Sequence, residues 1–473
     1  MLILALVLQQ AVPAPLPPVI VQVTVGPAAP SPGWTLVAPL TGLETLMIGL
    51  DGRIVRRWLH THPAGLACHL TPDGGLLRCA RGGESGSLGS PFGGRGGEGG
   101  RLERWSAAGE LVWLFELHDA TRLLHHDAVL LPNGNVLAIA WELLSEEQVF
   151  DAGRRGSAIP DGGLLSDMLI EVRPTGAHSG EVVWQWRVAE HLVQQNRPAA
   201  AAFSDPRRSP GRIDVDFDLR PWAQASELVE ARALDLAPLG YVGESSGESA
   251  PPPGRRAPDW LHMNSVDYDP VRDLVLVSVP GIGEVWVIDH STTTAEARTG
   301  RGGRHGRGGD LLWRWGNPAA HGAEGPRELF GQHDARWVGD GRVLVFDNGA
   351  GRPGAARSRV LEVQVPFTAD GFIAAPTREG AAPVWSYDGG EAPFFSRRLS
   401  GAQRLPNGNT LLTIGERALL IEVTRDGATA WVAHVRSPFG DITAPGAGLF
   451  RATRVPPDHP GAPAQSEPGE DRR

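Results

Sequence analysis

Apolar residues in this chain come in short runs cut by turn-forming residues, and the runs recur in kind. One set carries tryptophan: GRIVRRW ending at Trp58, GELVWLF around Trp113, and GEVVWQW with Trp184 and Trp186. It returns as GDLLWRW with Trp313 and Trp315, APVWSY with Trp385 and Tyr387, and GATAWVA with Trp431. Most copies follow a run that ends in a polar turn, such as LMIGLDG, RLERWSAAG or LIEVRPTG. Short runs of this kind joined by Asp-Gly turns predict hairpins. Between these hairpins stands another: HLTPDGGLL, LLPNGNVLAI, VDYDPVRDLVLV, WVGDGRVLVF and RLPNGNTLLTI. Asn and Gly tolerate positive φ, so Pro-Asn-Gly-Asn between apolar runs is a turn with a mechanism. One repeat is therefore four strands, and the tryptophan copies predict six repeats. One inner hairpin has no evident place near residues 200–258.

Repeated four-stranded units predict an all-β fold, a six-bladed β-propeller closed around a central channel, with irregular insertions. A pair of β-sandwiches is the competing all-β solution, but sandwiches do not impose a fixed internal repeat. Residues 19–455 are expected to form a single propeller domain, with an insertion at 197–258. That insertion is rich in Pro, Ser and acidic residues and suits a partly helical lid over one channel mouth. Two glycine-arginine segments, 81–101 and 297–309, read as flexible surface excursions. The tail 456–473 reads as disordered.

The 473 residues are 41% hydrophobic, enough for a core, and the formal net charge is -10. The cations are all arginine. RGG-like segments can bind nucleic acid, but the acidic balance argues against that partner. The chain opens MLILALVLQQAVPAP, which reads as a signal peptide over residues 1–18 without the usual basic start. No later run approaches the ~20 apolar residues of a spanning helix. The expectation is a periplasmic or secreted protein without a transmembrane segment. The two cysteines, Cys68 and Cys79, flank the turn Pro72-Asp73-Gly74-Gly75. If 70–71 pairs with 76–77, Cys68 falls opposite Cys79. A cross-strand disulfide is then one expectation and a pair of reduced core thiols the other.

The inner hairpins carry the chemistry. His126 lies six residues before Pro132, Ser400 six before Pro406, Leu66 six before Pro72 and His333 six before Gly339. His262 fits with a one-residue adjustment. Equivalent positions of successive blades form a ring about the axis, so His126, His262 and His333 should face one another. Such a ring can bind an anion when partly protonated or a metal when neutral. One imidazole can also serve as nucleophile while another acts as general acid. Asn264 places an amide donor beside His262, suited to a developing oxyanion. Asp127 and Asp334 follow two of the histidines and either orient rings or cap turns. A single histidine at a strand start is ordinarily structural; three at one repeat position are harder to read so. His125, His60, His62 and His118 lack a repeat partner and read as structural.

These residues resemble the bacterial arylsulfate sulfotransferases, over roughly residues 40–450. The best stretches are TRLLHHDAVLLPNGN, DWLHMNSVDYDP, GQHDARWVGDGRVLVFDNG with SRVLEV, and SGAQRLPNGNTLL. The resemblance implies transfer of a sulfuryl group from a phenolic sulfate ester to a phenolic acceptor. It implies a ping-pong route through a sulfurylated histidine, without a nucleotide sulfate donor, cofactor or metal. Carried over residue by residue, His333 is similar to the nucleophile. His262 and Asn264 are similar to the pair that holds the sulfuryl oxygens, and His126 to a further active-site histidine, a proton donor to the leaving phenolate.

One departure stands out. The family carries an arginine in the strand after HxNSVDYDP, where this chain reads LVSVPGIGEVW with Pro280 at or beside that place. A lost cation should weaken the grip on a sulfate, because charge-assisted bonds are the strong ones. Arg336, Arg359, Arg398 or Arg404 could approach the axis in its stead as substrate-binding residues. Two other readings compete: a catalytically impaired propeller that binds a ligand or partner at the same mouth, and a histidine metal site.

Overall fold

Each tryptophan run becomes the fourth strand from the axis of a small antiparallel sheet, outermost in every blade but the sixth. The structure is a computed structural model that describes residues 19–40, 42–82, 91–92, 96–160, 162–200, 202–217, 259–373, 381–436 and 448–463. Among the described residues, six four-stranded units form a six-bladed β-propeller. Blade 1 joins Leu449–Val455 to Trp34–Pro39, Glu44–Ile48 and Ile54–Leu59. Blades 2 to 5 run Ala64–Glu116, Arg122–Arg187, Ser265–Trp315 and His333–Tyr387. Blade 6 runs Gly401–Arg436 and takes Ile20–Val25 as a fifth strand.

The ring closes because both chain ends share two blades. The C-terminal strand Leu449–Val455 is the innermost of blade 1, paired with Trp34–Pro39. Buried Arg454 ties it to the N-terminal segment and blade 6 through Thr35 Oγ1 (2.9 Å) and Glu422 (3.1 Å). The inner hairpin that had no place in the sequence is this one: Phe450 lies six residues before Pro456, the spacing of four of the other five. Residues 456–463, expected within a disordered tail, form turns that place Ala462 against blade 1 and blade 2 side chains.

The tryptophans do more than fill space. Each outer-strand indole N–H donates to the next blade: Trp58 to Ser106 O (3.1 Å), Trp113 to Ser179 O (3.0 Å) and Trp186 to Gly309 O (2.7 Å). The ring continues with Trp315 to Ala381 O (2.7 Å), Trp385 to Arg425 O (2.8 Å) and Trp431 to Leu50 O (2.8 Å), back to blade 1. A buried indole needs such a partner, so the repeat satisfies the donor and staples the blades in one stroke. Six apolar clusters fill the six blade interfaces. The inner turns follow the predicted chemistry: Gly134 and Gly408 have φ 85° and 89° with open space around them, so the demand is conformational.

Two expectations are corrected. The hairpin register sets Cys68 opposite Arg78, not Cys79, because the turn pairs Leu70 with Leu76 rather than with Leu77. The two thiols fall in different clusters and are free. The segment 297–309 is folded: Gly308 and Gly309 N–H donate to Gly302 O (2.9 Å) and Thr299 O (2.8 Å). The proposed signal peptide, most of 81–95 and the lid region 218–258 lie outside the described residues. No described helix is long and apolar enough to cross a membrane.

Candidate active site

The innermost strands are bulged where the ring residues sit. Pairing shifts between Ala138 and Ala140 opposite His125–Asp127, at His333–Arg336, and between Val37 and Pro39 opposite Phe450–Arg451. A bulge leaves residues unpaired and re-aims their side chains. His126 has φ 55° in its bulge, His262 has φ 57° just ahead of an unbulged strand, and Ser400, Leu66 and Asp334 are also left-handed. Such conformations are uncommon outside glycine and persist only where packing imposes them.

The three histidines meet at one end of the axis. The His126 and His262 rings are 4.5 Å apart, edge to face. Phe450, the missed sixth ring residue, stands 6.1 Å from His126 and 6.3 Å from His333. Burial holds His333 down at about 4, with His262 and Arg451 adding to the effect against the bond from Asn348. Burial likewise takes His126 well below the usual imidazole range, with His262, His125, His333 and Arg451 adding. Both are therefore neutral near pH 7.

Hydrogen bonds fix one tautomer. His333 Nδ1 lies 2.9 Å from Asn348 Oδ1 and 3.1 Å from Gly331 O, both acceptors. Asn348 Nδ2 donates to Ser396 O (2.9 Å) and Leu399 O (3.0 Å), which settles which way the amide faces. His333 must then carry its proton on Nδ1 and present a lone pair at Nε2. His262 Nδ1 donates to Asp259 Oδ2 at 2.6 Å. His126 Nδ1 lies 2.8 Å from Nδ1 of His125, whose Nε2 is 3.1 Å from Asp167 Oδ1. Burial and nearby Asp259 push the Asp167 carboxyl well up. His125 stacks on Trp141 at 4.0 Å. Its place beside His126 was not read from the sequence, because only the residue after it occupies the repeat position.

The remaining expected residues fall differently. Asn264 is buried, and its Nδ2 donates to Gln332 O (2.8 Å) while Oδ1 has no hydrogen-bond partner. Arg336 lies in the channel but is held by Asp334 (2.7 Å) and Asp267 (3.8 Å). Arg359 is committed to Asp347 (3.0 Å) and Glu328 (2.9 Å), and Arg398 pairs with Glu416 (3.2 Å). Arg404 binds Glu362 (2.6 Å) at the blade 5–6 interface, roughly 13 Å along the strand from Ser400. None of Arg336, Arg359 and Arg404 therefore offers an uncommitted guanidinium to the histidines. Pro280 sits in a turn whose Gly281 N–H donates to Leu261 O (2.8 Å), just behind His262. Among the described residues no group of three His, Cys, Asp or Glu could hold a metal ion.

Beneath the histidines lies an ionic layer. Asp127 accepts from His69 (3.0 Å), Val266 N (3.1 Å) and Arg451 (2.8 Å). Burial would raise this carboxyl, yet Arg451 and His69 outweigh it and hold it far down. The layer binds blades 1, 2, 3 and 4 to one point and fixes the backbone next to His126.

No curated protein matches the chain. Among solved structures it is similar to a protein of unknown function from Bacteroides caccae, at 11% identity and TM-score 0.44, covering 89% of this chain and 98% of that one. It is also similar to a putative 6-phosphogluconolactonase from Bacteroides fragilis, at 10% identity and TM-score 0.34, covering 90% and 98%. A third is a virginiamycin B lyase from Staphylococcus aureus with quinupristin, at 8% identity and TM-score 0.35, covering 87% of each chain. The family model for arylsulfotransferase (ASST) matches residues 95–435, a stretch that holds all three ring histidines, and the chain belongs to that family.

Proposed function

We propose that the protein moves a sulfuryl group from a phenolic sulfate ester to a phenolic acceptor, through a sulfurylated His333 and without a nucleotide donor. Family membership supports an arylsulfotransferase with small aryl substrates. The observation that carries the finer reading is the His333 tautomer. With Nδ1–H held by Asn348 and Gly331, the Nε2 lone pair is free to attack sulfur. The S–O bond to the aryl group breaks as N–S forms, and the electron pair leaves on the phenolate oxygen.

The phenolate needs a proton. With Asp167 protonated and its hydroxyl turned to close the 3.1 Å approach to His125 Nε2, His125 Nδ1–H donates to His126 Nδ1, and His126 keeps its proton on Nε2. Transfer of that Nε2 proton to the phenolate is then matched by one proton step along the chain, leaving Asp167 ionised. The acceptor phenol returns the proton as its oxygen attacks the sulfurylated histidine, and the cycle balances. His262, its ring held by the 2.6 Å contact of Nδ1 with Asp259 Oδ2, is the proposed partner of a sulfuryl oxygen. Substrates of this kind suit an exported enzyme, periplasmic or secreted.

The test is a phenolic sulfate donor with and without an added phenol. Parallel lines in double-reciprocal plots and a sulfurylated peptide containing His333 are expected, with both lost in His333→Ala. Absence of turnover across varied donors and pH would sink this reading in favour of a ligand-binding propeller.

A further inference from the structure

Neutral His126 and His333 cannot by themselves hold an anion, and Pro280 stands where the family resemblance leads one to expect an arginine. The cation comes from a different blade. Arg451 follows Phe450 in the bulge of the closing strand, outside the stretch that matches the family model. It is 5% exposed. Its Nη1 is anchored on Asp127 (2.8 Å) and Asp334 (3.4 Å). Its guanidinium lies on the Phe450 face, 4.5 Å from the ring centroid. Its Nε and Nη2 are buried and make no hydrogen bond to the protein. Those two groups form the side-on edge of a guanidinium, with parallel N–H bonds that match two oxygens of one anion. Asp127 and Asp334 directly follow His126 and His333 in the chain, so the guanidinium anchored on them lies next to both histidines, with Phe450 within 6.3 Å of each ring. Arg451 also depresses both imidazoles, as a cation this close must.

We propose that Arg451 is the anion-gripping residue of this site, its Nε–H and Nη2–H binding two non-bridging oxygens of the sulfuryl group while Asp127 and Asp334 hold its other end. The proposal rests on the transfer reading above for the identity of the anion. Other arginines of the channel region cannot substitute, because Arg336, Arg359 and Arg404 are turned to carboxylates. Donors fixed in advance on a buried edge strengthen as charge develops on the oxygens, and loss of one such donor ordinarily costs about 10²–10³ in rate.

The experiment compares wild type, Arg451→Lys and the control Arg57→Gln, using inorganic sulfate and an aryl sulfate as probes. Lysine keeps the charge that Asp127 and Asp334 require but cannot present the fork. Arg451→Lys should melt close to wild type, bind sulfate at least tenfold more weakly, and lose about 10²-fold in kcat/KM. Arg57→Gln should change neither. Turnover and sulfate affinity intact in Arg451→Lys would end the inference and leave the transfer reading standing. Arg451-dependent sulfate binding without turnover in wild type would end the transfer reading and leave the anion site standing. Should Arg451→Lys not fold, a crystal structure of wild type in saturating sulfate decides. Oxygens within hydrogen-bond distance of Nε and Nη2 support the proposal, and sulfate elsewhere or absent overturns it.

Discussion

Asn348 Oδ1 accepts from His333 Nδ1 at 2.9 Å while its own amide N–H groups are held by Ser396 O and Leu399 O. A side chain locked at both ends dictates the proton position of its neighbour, as the third member of a catalytic triad does. Asn348→Ala should lower kcat about tenfold to a hundredfold with KM little changed, each tenfold being about 1.4 kcal/mol. The pH profile separates this from a folding defect. Protonation of Nε2 removes the nucleophile, so the acid limb should lie near 4, where burial holds His333. Asn348→Asp places a carboxylate beside the imidazolium and should move that limb up, whereas Asn348→Ala removes a raising contact and should move it down. An unmoved limb in both variants would remove Asn348 from the mechanism.

In the proposed route His125 and Asp167 act on the leaving group. A general acid matters most when the departing phenolate is basic. His125→Phe keeps a ring stacked on Trp141 but cuts the chain between His126 and Asp167. Donors with poorly acidic phenols should slow steeply in this variant, and nitrophenyl donors should slow little. The slope of log kcat/KM against phenol pKa is the measurement. An unchanged slope would assign His125 to packing alone.

How much of this was legible in sequence depends on what a repeat can reveal. The ring positions of His126, His262 and His333 were readable because each blade repeats one spacing. Phe450 obeyed the same spacing before Pro456, but its partner strands lie at the other end of the chain, so the hairpin had no local signature. Arg451 was therefore invisible as a site residue. His125, Asp167, Asp259 and Asn348 do not stand at the repeated ring position, so the spacing that marked the three histidines did not mark them. Of the two expectations for the cysteines, the reduced pair stands, because the turn pairs Leu70 with Leu76 and a one-residue slip turns a side chain to the other face.

That slip has a measurable consequence. Burial raises the Cys68 thiol to about 11 and takes Cys79 well above the usual range. Thiolates are the reactive form. Neither should react with a thiol reagent in the native protein, and both should react after denaturation. A reductant should leave the melting temperature unchanged; a fall on reduction would reinstate the disulfide.

The indole staples can be weighed singly. Trp431 is 0% exposed and donates to Leu50 O across the closure between blades 6 and 1. Trp431→Phe keeps an aromatic ring but drops the N–H and part of the packed area. About 1–3 kcal/mol should be lost, since a buried acceptor is left unmet and a gap opens. Trp385→Phe, where the bond to Arg425 O lies at the surface, should cost less, because water can replace the partner. Urea midpoints at fixed pH give the comparison, and equal losses would mean the N–H contributes nothing specific to closure.

His290 sets the pH range over which blades 3 and 4 stay locked. Its ring bridges Glu171 Oε2 (3.0 Å) on blade 3 and Asp273 Oδ1 (2.7 Å) on blade 4. Trp184 and Tyr268 flank the ring at 4.7 and 5.4 Å, and the Tyr268 hydroxyl donates to Asp273. Burial alone would lower His290, but the bonds to Asp273 and Glu171 win and raise it to about 9. The folded value exceeds the unfolded one, so the stabilisation is complete below about 6.5 and is lost as pH rises through about 9. The shift bounds the contribution at about 3 kcal/mol, less whatever solvent screening takes at Asp273. Both carboxylates are held below their usual range despite burial, so their share is lost only under acid conditions. His290→Gln should therefore lower the melting temperature clearly at pH 6 and hardly at all at pH 10. A pH-independent loss would mean that the ring packs against Trp184 without its charge mattering.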